Sequence, residues 1–190
     1  MKKSLGAKPC LFPMPVLMIS TYNEDGSVNV MNMAWGGICG ETMVSLNISE
    51  GHKTAENLKK RGAFTLSIAD IPHLEAADYF GMASGNSTPD KFARSGLTAV
   101  RSEKVDAPIV EEFPLTLECK VAEIKHESYG FHVLGEIVDV LADETVLDAA
   151  GKVDPTRLNA FLFDAFQSGY YAIGEKVGQA WQSGAVLMKK

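Results

Sequence analysis

From residue 115 to residue 124 apolar and polar side chains alternate. Leu115, Leu117, Cys119 and Val121 read as facing inward, and Thr116, Glu118 and Lys120 as facing outward. Successive side chains of an extended chain point to opposite faces, so period-two alternation marks a strand with one buried face. The signal recurs at short intervals. Residues 16–21 form a β-rich run, the turn Asn23-Glu24-Asp25-Gly26 follows, and 28–33 resumes as a hairpin partner. In 43–48, Val44, Leu46 and Ile48 share one face, and in 63–69 Phe64, Leu66 and Ile68 do the same. Residues 132–141 read as a second long strand and 170–177 as a final one.

Helical signals are fewer and peripheral. Residues 54–61 read as a short helix that Gly62 ends. A glycine-bearing helical stretch covers 73–84, followed by the turn-prone loop 85–90. Pro155 suits the first position of a helix, and Leu158, Phe161, Leu162 and Ala165 continue it at core-facing spacing. Many strands without regularly interposed helices exclude a doubly wound parallel sheet and predict a mainly β barrel or sandwich. No linker, repeat or low-complexity tract divides the chain, so 1–190 reads as a single domain with its core at about 13–184.

Charge and motifs exclude several functions. A net charge of −6 argues against general nucleic-acid binding, which needs clustered Lys and Arg. The basic triplet Lys59, Lys60 and Arg61 suits the carbonyl end of its own helix. No apolar run approaches membrane-spanning length, and Pro13 and Pro15 interrupt the N-terminal segment. Cys10, Cys39 and Cys119 lack metal-ligand spacing, and an odd, widely spaced set fits a reducing, cytoplasmic setting. Phosphate-loop, dinucleotide, nucleophile-elbow and zinc-helix signatures are missing. Cys119, on an apolar strand face, reads as a buried structural thiol.

Three polar clusters remain. Ser49, His52, Lys53 and Thr54 gather where a strand turns into a helix, and a helix start favours an anion. A phosphate on a small cofactor is one such anion; a solvated, capped turn is the plainer alternative. Ser84 and Gly85, with Lys91 downstream, form a second basic, hydroxyl-bearing loop, which equally suits a plain surface loop. The third cluster, from Asn29 to Gly37, includes Trp35, which suits either a ligand wall or the core.

Taken in order, PMPVLMIS, DGSVNVMNMAWGGICG, MVSLNIS, HKTAENL, GAFTLSI, SGNSTPDKF, PLTLEC, LGEIVDV and YYAIGEKVG resemble the flavin reductase-like, FMN-binding split-barrel family, and within it the flavoredoxin type. The resemblance spans about residues 13–184. It implies a closed, antiparallel, Greek-key-like split β-barrel in a homodimer, with FMN held noncovalently near the subunit interface. It implies that Asn29 and Trp35 lie near the isoalloxazine, and that Asn47, Ile48 and Ser49 form the strand end facing the ring edge. Lys53, Thr54 and Asn57 then serve the phosphate and ribityl side, and Ser84, Gly85 and Lys91 close over the phosphate. The implied activity is electron or hydride transfer through FMN, with NADH or NADPH as candidate donor. The alternatives are a non-catalytic FMN carrier serving a redox protein, and a barrel holding another ligand such as pyridoxal phosphate or haem. Some family members carry a histidine in the turn before the GEV strand. Here that turn reads Ser128-Tyr129-Gly130-Phe131, with His132 two residues later.

Overall fold

The structure is a computed structural model that describes residues 1–188. Its strands are β1 (Met14–Pro15), β2 (Leu17–Tyr22), β3 (Val28–Met33), β4 (Gly36–Gly40), β5 (Met43–Ile48), β6 (Ala63–Ile68), β7 (Ala99–Arg101), β8 (Pro108–Val110), β9 (Leu115–Glu127), β10 (Gly130–Ala142), β11 (Phe161–Asp164) and β12 (Gly169–Ala172). Helices α1 (Lys53–Arg61), α2 (Leu74–Met82) and α3 (Lys91–Ser95) lie between them. Seven strands form one antiparallel sheet in the order β3-β2-β6-β9-β10-β5-β4. The two edge strands, β3 and β4, are separated in the chain only by Ala34 and Trp35. A chain that passes from one edge to the other in two residues forces the sheet to curl on itself. The result is the expected mainly β split barrel.

Alternation places the core. Leu17, Ile19, Met31, Val44, Leu46, Ile48, Phe64, Leu66, Cys119 and Val133 pack inside the curl, with Leu58 of α1. Each large side chain of this kind contributes about 1.5–3 kcal/mol by leaving water. A second cluster covers the outer face of β2 and β3, where Met18 and Val30 meet Ala77 and Phe80 of α2, Val110, Phe113 and Phe161. Strand β2 is therefore buried on both sides. Helix α1 ends at Gly62, whose left-handed φ of 65° is the conformation glycine adopts without a Cβ clash.

Three expectations need correction. Thr116 and Glu118 face outward from the barrel but not into water: each is 2% exposed. The chain around β7 and β8 covers them. Ser102 Oγ donates to Glu118, Thr65 Oγ1 donates to the Pro108 carbonyl at 2.6 Å, and the Ser67 and Thr116 hydroxyls meet at 2.8 Å. Alternation reports which residues share a face, not what later covers that face. The helix expected from Pro155 does not form. Phe161–Asp164 is instead the middle strand of a small sheet ordered β1-β11-β12. The helical spacing of Leu158, Phe161 and Leu162 loses to cross-strand pairing: Phe163 sits opposite Met14 and Tyr170, and Phe161 buries into the second cluster. The last strand is correspondingly short and ends at Ala172, not Val177.

Candidate functional site

Strand β3 carries the floor of the site. Asn29, Met31 and Met33 alternate onto one face, and two adjoining cavities open along that row. An inner pocket of about 240 Å³ is walled by Asn29, Met31, Asn32, His52, Lys53, Thr54, Ser84, Gly85 and Lys91, together with the end of α2. An outer chamber of about 610 Å³ is walled by Met31, Asn32, Met33, Trp35, Asn47, Ile48, Ser49, His52 and Tyr129. Met31, Asn32 and His52 belong to both, so the two cavities form one continuous site.

The two polar loops noted in the sequence converge on the inner pocket. The loop after α2 is tied to the turn before α1 by Asn86, whose Nδ2 donates to the Gly51 carbonyl at 2.7 Å. His52 occupies the N-cap of α1 without a side-chain capping bond. The helix start is thus open to a ligand anion, where the dipole and free N–H groups favour negative charge. Lys91 is 3% exposed, and its Nζ donates to the Ala83 carbonyl at 2.9 Å. Burial alone pulls its ammonium from the usual 10.5 down to about 8. A buried cation is costly without a counter-charge, and this one faces a cavity. Lys53 lines the same pocket, while its Nζ pairs with Glu56 at 3.1 Å on the outer side of the helix.

Asn29 is equally incomplete. Its Nδ2 donates to Thr54 Oγ1 at 2.9 Å and to Thr21 Oγ1 at 3.3 Å, but its Oδ1 is buried without a partner among the described residues. Gly85 explains how the backbone comes so near: a Cβ there would lie 2.4 Å from Asn29 Oδ1 and 3.0 Å from Lys53 Cβ. The inner pocket therefore offers a cation lacking an anion and an acceptor lacking a donor. A ligand with both an anionic group and a hydroxyl satisfies the two together.

The outer chamber is more open. Trp35 is 50% exposed, which removes it from the core, and its ring packs at a tilt on Phe163 with centroids 6.3 Å apart. Ile48, by contrast, is 1% exposed at the end of β5. Tyr129 donates to Asn47 Oδ1 at 3.2 Å. Apolar walls with a few polar groups at the rim suit a flat, partly polar ring.

Ten of the eleven residues expected from the sequence line one cavity or the other. Asn57 lines neither. It is buried behind the pocket, where Nδ2 donates to Thr21 Oγ1 at 3.0 Å and to Asn23 Oδ1 at 2.9 Å. Its place is to hold Thr21, which Asn29 also contacts. Met31 and Met33 escaped the sequence reading, although their period-two spacing from Asn29 marks the same face. Asn32 stands in the same Asn29–Gly37 cluster and Tyr129 in the turn before the GEV strand, but neither position by itself marks a cavity wall.

The fold is a split barrel whose cavity joins a buried, lysine-lined pocket to a larger, mostly apolar chamber. Residues 10–160 match the family model described as flavin reductase like domain, and the chain belongs to that family. It is similar to the flavoredoxin of Desulfovibrio vulgaris (Miyazaki F), with 38% identity, a TM-score of 0.92, and coverage of 97% of this chain and 100% of that one. It shares its fold with an FMN-binding domain of a flavin reductases-like enzyme from Shewanella baltica OS155, at 22% identity, a TM-score of 0.75 and coverage of 87% and 88%. An uncharacterized protein of Archaeoglobus fulgidus is 30% identical over 148 residues, 76% of this chain and 80% of that protein. No helix among the described residues is long and apolar enough to cross a membrane.

Proposed function

We propose that this chain is an FMN-dependent oxidoreductase of the flavoredoxin type, with the phosphate in the inner pocket and the isoalloxazine in the outer chamber. The observation that carries the reading is the paired deficit of Lys91 and Asn29. A simple phosphate answers only the lysine, whereas FMN brings a phosphate dianion and, next to it, the hydroxyls of its ribityl chain. Membership of the flavin reductase-like family and the likeness to a flavoredoxin support flavin as the ligand class.

Bound FMN supplies the two-electron and one-electron chemistry that protein side chains lack. This chain's residues bind and orient. Lys91, Lys53, Thr54 and Ser84 would hold the phosphate through charge-assisted bonds and the open start of α1. Asn29 accepts a hydroxyl, and Asn57 fixes Thr21 behind it. Met31, Met33, Ile48 and Trp35 give the ring apolar walls, and the end of β5 at Asn47–Ser49 brings backbone to the ring edge. NADH or NADPH is one candidate donor in this reading and a redox protein the other, and the cytoplasm is its setting.

A second copy of the chain belongs to the same reading. Ile38 on the edge strand β4, Val140 and Leu141 on β10, and Val177, Trp181 and Leu187 in the C-terminal segment are all exposed. Apolar surface of this extent marks an interface, and a homodimer covers it. The carrier reading, in which FMN exchanges electrons with a protein partner, is favoured by one feature: among the described residues, only His52 and Tyr129 bring acid–base side chains to the chamber wall.

A visible spectrum of the purified protein, with and without added FMN, tests the cofactor; a colourless chain that takes up no FMN refutes it. Steady-state oxidation of NADH and NADPH with added FMN then separates enzyme from carrier. Fast turnover supports the enzyme, and reduction by a ferredoxin-like protein alone supports the carrier.

A further inference from the structure

We propose that Tyr129 selects by size which reactants reach the ring in the outer chamber, admitting small ones and holding back dinucleotide-sized ones. The proposal rests on the flavin reading above, which supplies the ring. Tyr129 stands at the tip of the β9–β10 hairpin, and the register of β10 on β5, Phe131 opposite Ile48 and His132 opposite Asn47, sets that tip beside the chamber. Gly130 allows the approach. Its φ is 129°, and a Cβ there would lie 2.4 Å from the Ile48 carbonyl oxygen.

The strands just below the turn are anchored, while the Tyr129 side chain is not. Phe131 lies under the Lys59 ammonium, 3.5 Å from the ring centroid, and next to the His126 ring at 5.2 Å. His126 in turn contacts Glu50. Tyr129 itself is 55% exposed, so little burial fixes its ring. Among the described residues its side-chain bond is the donation to Asn47 Oδ1, and Asn47 is itself a wall of the chamber. A single neutral hydrogen bond near water is weak, so the side chain leaves this position at little cost. An aromatic placed at the rim by a rigid hairpin, bonded to the wall rather than packed into the core, controls entry and adds little to the fold.

The test uses the full chain loaded with FMN, and compares the unaltered protein with Tyr129→Ala and Tyr129→Phe. Ultrafiltration gives FMN affinity before any donor is added. Anaerobic bleaching of the flavin absorbance is then timed with NADH and with 1-benzyl-1,4-dihydronicotinamide. Each donor passes a hydride from its C4 to the ring, water supplies a proton, and the donor leaves as a pyridinium cation. The two donors differ in bulk, charge and reducing power, so the quantity followed is the change in their rate ratio from the unaltered protein to each variant. Tyr129→Ala is expected to raise the NADH rate relative to the small donor about fivefold or more. Tyr129→Phe, which loses the bond but keeps the ring, is expected to raise it about twofold, with FMN affinity within about threefold in both. An unchanged ratio overturns the proposal, as does a fall in affinity beyond about tenfold, which makes Tyr129 part of the binding wall. Failure of the unaltered chain to retain FMN overturns the flavin reading itself, and the affinity measurement registers that separately.

Discussion

The inner pocket and the outer chamber share Met31, Asn32 and His52, yet they are built on opposite principles. In the inner pocket the polar groups are buried and held before any ligand arrives. Asn29, Thr54 and Lys91 are each 3% exposed or less; a network through Thr21 and Asn57 fixes Asn29 and Thr54, and the Ala83 carbonyl holds Lys91. In the outer chamber the two aromatic side chains are half in water, and a single side-chain bond links Tyr129 to Asn47. The difference teaches where binding energy and reactivity divide. An anchor gains from preorganisation, because no ordering cost then falls on the binding step. A ring that must exchange electrons with other molecules gains from an exposed edge.

The comparison breaks first, and by the largest margin, at the two lysines. Lys53→Ala and Lys91→Ala should each weaken FMN binding by about 1–3 kcal/mol, and the pair together by more than either alone. Isothermal titration of the double variant with FMN checks this; unchanged affinity removes the phosphate from the inner pocket. A test without ligand uses pH. The folded-state pKa of Lys91 is lowered from 10.5 to about 8, so its burial destabilises the folded protein fully below pH 8. The unfolded chain binds the extra proton between pH 8 and 10.5, and the penalty fades as pH rises through that window. Lys91→Met should therefore unfold less readily than the unaltered apoprotein by up to about 3 kcal/mol below pH 8, with the advantage shrinking toward pH 10.5. The difference between the two proteins is the quantity to follow in denaturant titrations. Cys119, pushed up to about 12 by burial, works the other way: stability falls as pH rises above its ordinary 9.0, equally in both proteins.

Gly85→Ala sharpens the picture at the next level. A methyl group 2.4 Å from Asn29 Oδ1 cannot be accommodated without movement, and overpacking costs about 1–3 kcal/mol. FMN affinity should fall about five- to a hundredfold, while the melting temperature of the apoprotein changes less than a closed-core clash would produce. The smallest effect belongs to the outer chamber. Trp35→Ala should cost about 1 kcal/mol in FMN affinity, because a half-exposed ring buries little and its stacking is worth little more. An effect on affinity as large as that of Lys91→Ala would erase the proposed distinction between anchor and open edge.

The strands of the barrel were legible because alternation is local. Val44, Leu46 and Ile48, or Phe64 and Leu66, declare an inner face whatever the rest of the chain does. The two polar segments were legible for a related reason: Lys53 and Thr54 at a helix start, and Ser84 and Gly85 in a loop that leads to Lys91 at the start of α3, carry their chemistry within a few residues. Phe161–Asp164 was misread because a helical spacing over eight residues is weaker than pairing on both edges, with β12 next in the chain and with β1 at its far end. Glu118 looked solvated for a different reason. Its cover, Ser102 and the chain around β8, is distant from it in sequence. Asn57 read as a site residue because Lys53 and Thr54, its neighbours in the chain, line the pocket; tertiary packing turns its amide toward Thr21 and Asn23 instead.

By itself, then, the chain of residues determined the strands, the barrel class and the two loops able to grip an anion, since each depends on neighbours a few positions away. Tertiary structure decided that both loops face one cavity, that Asn29 Oδ1 and Lys91 are left incomplete within it, and that Tyr129 stands at the rim of the other. Those facts depend on which strands become neighbours when the sheet curls. Closure brings together groups separated by tens of residues, and no local pattern encodes the distance between them.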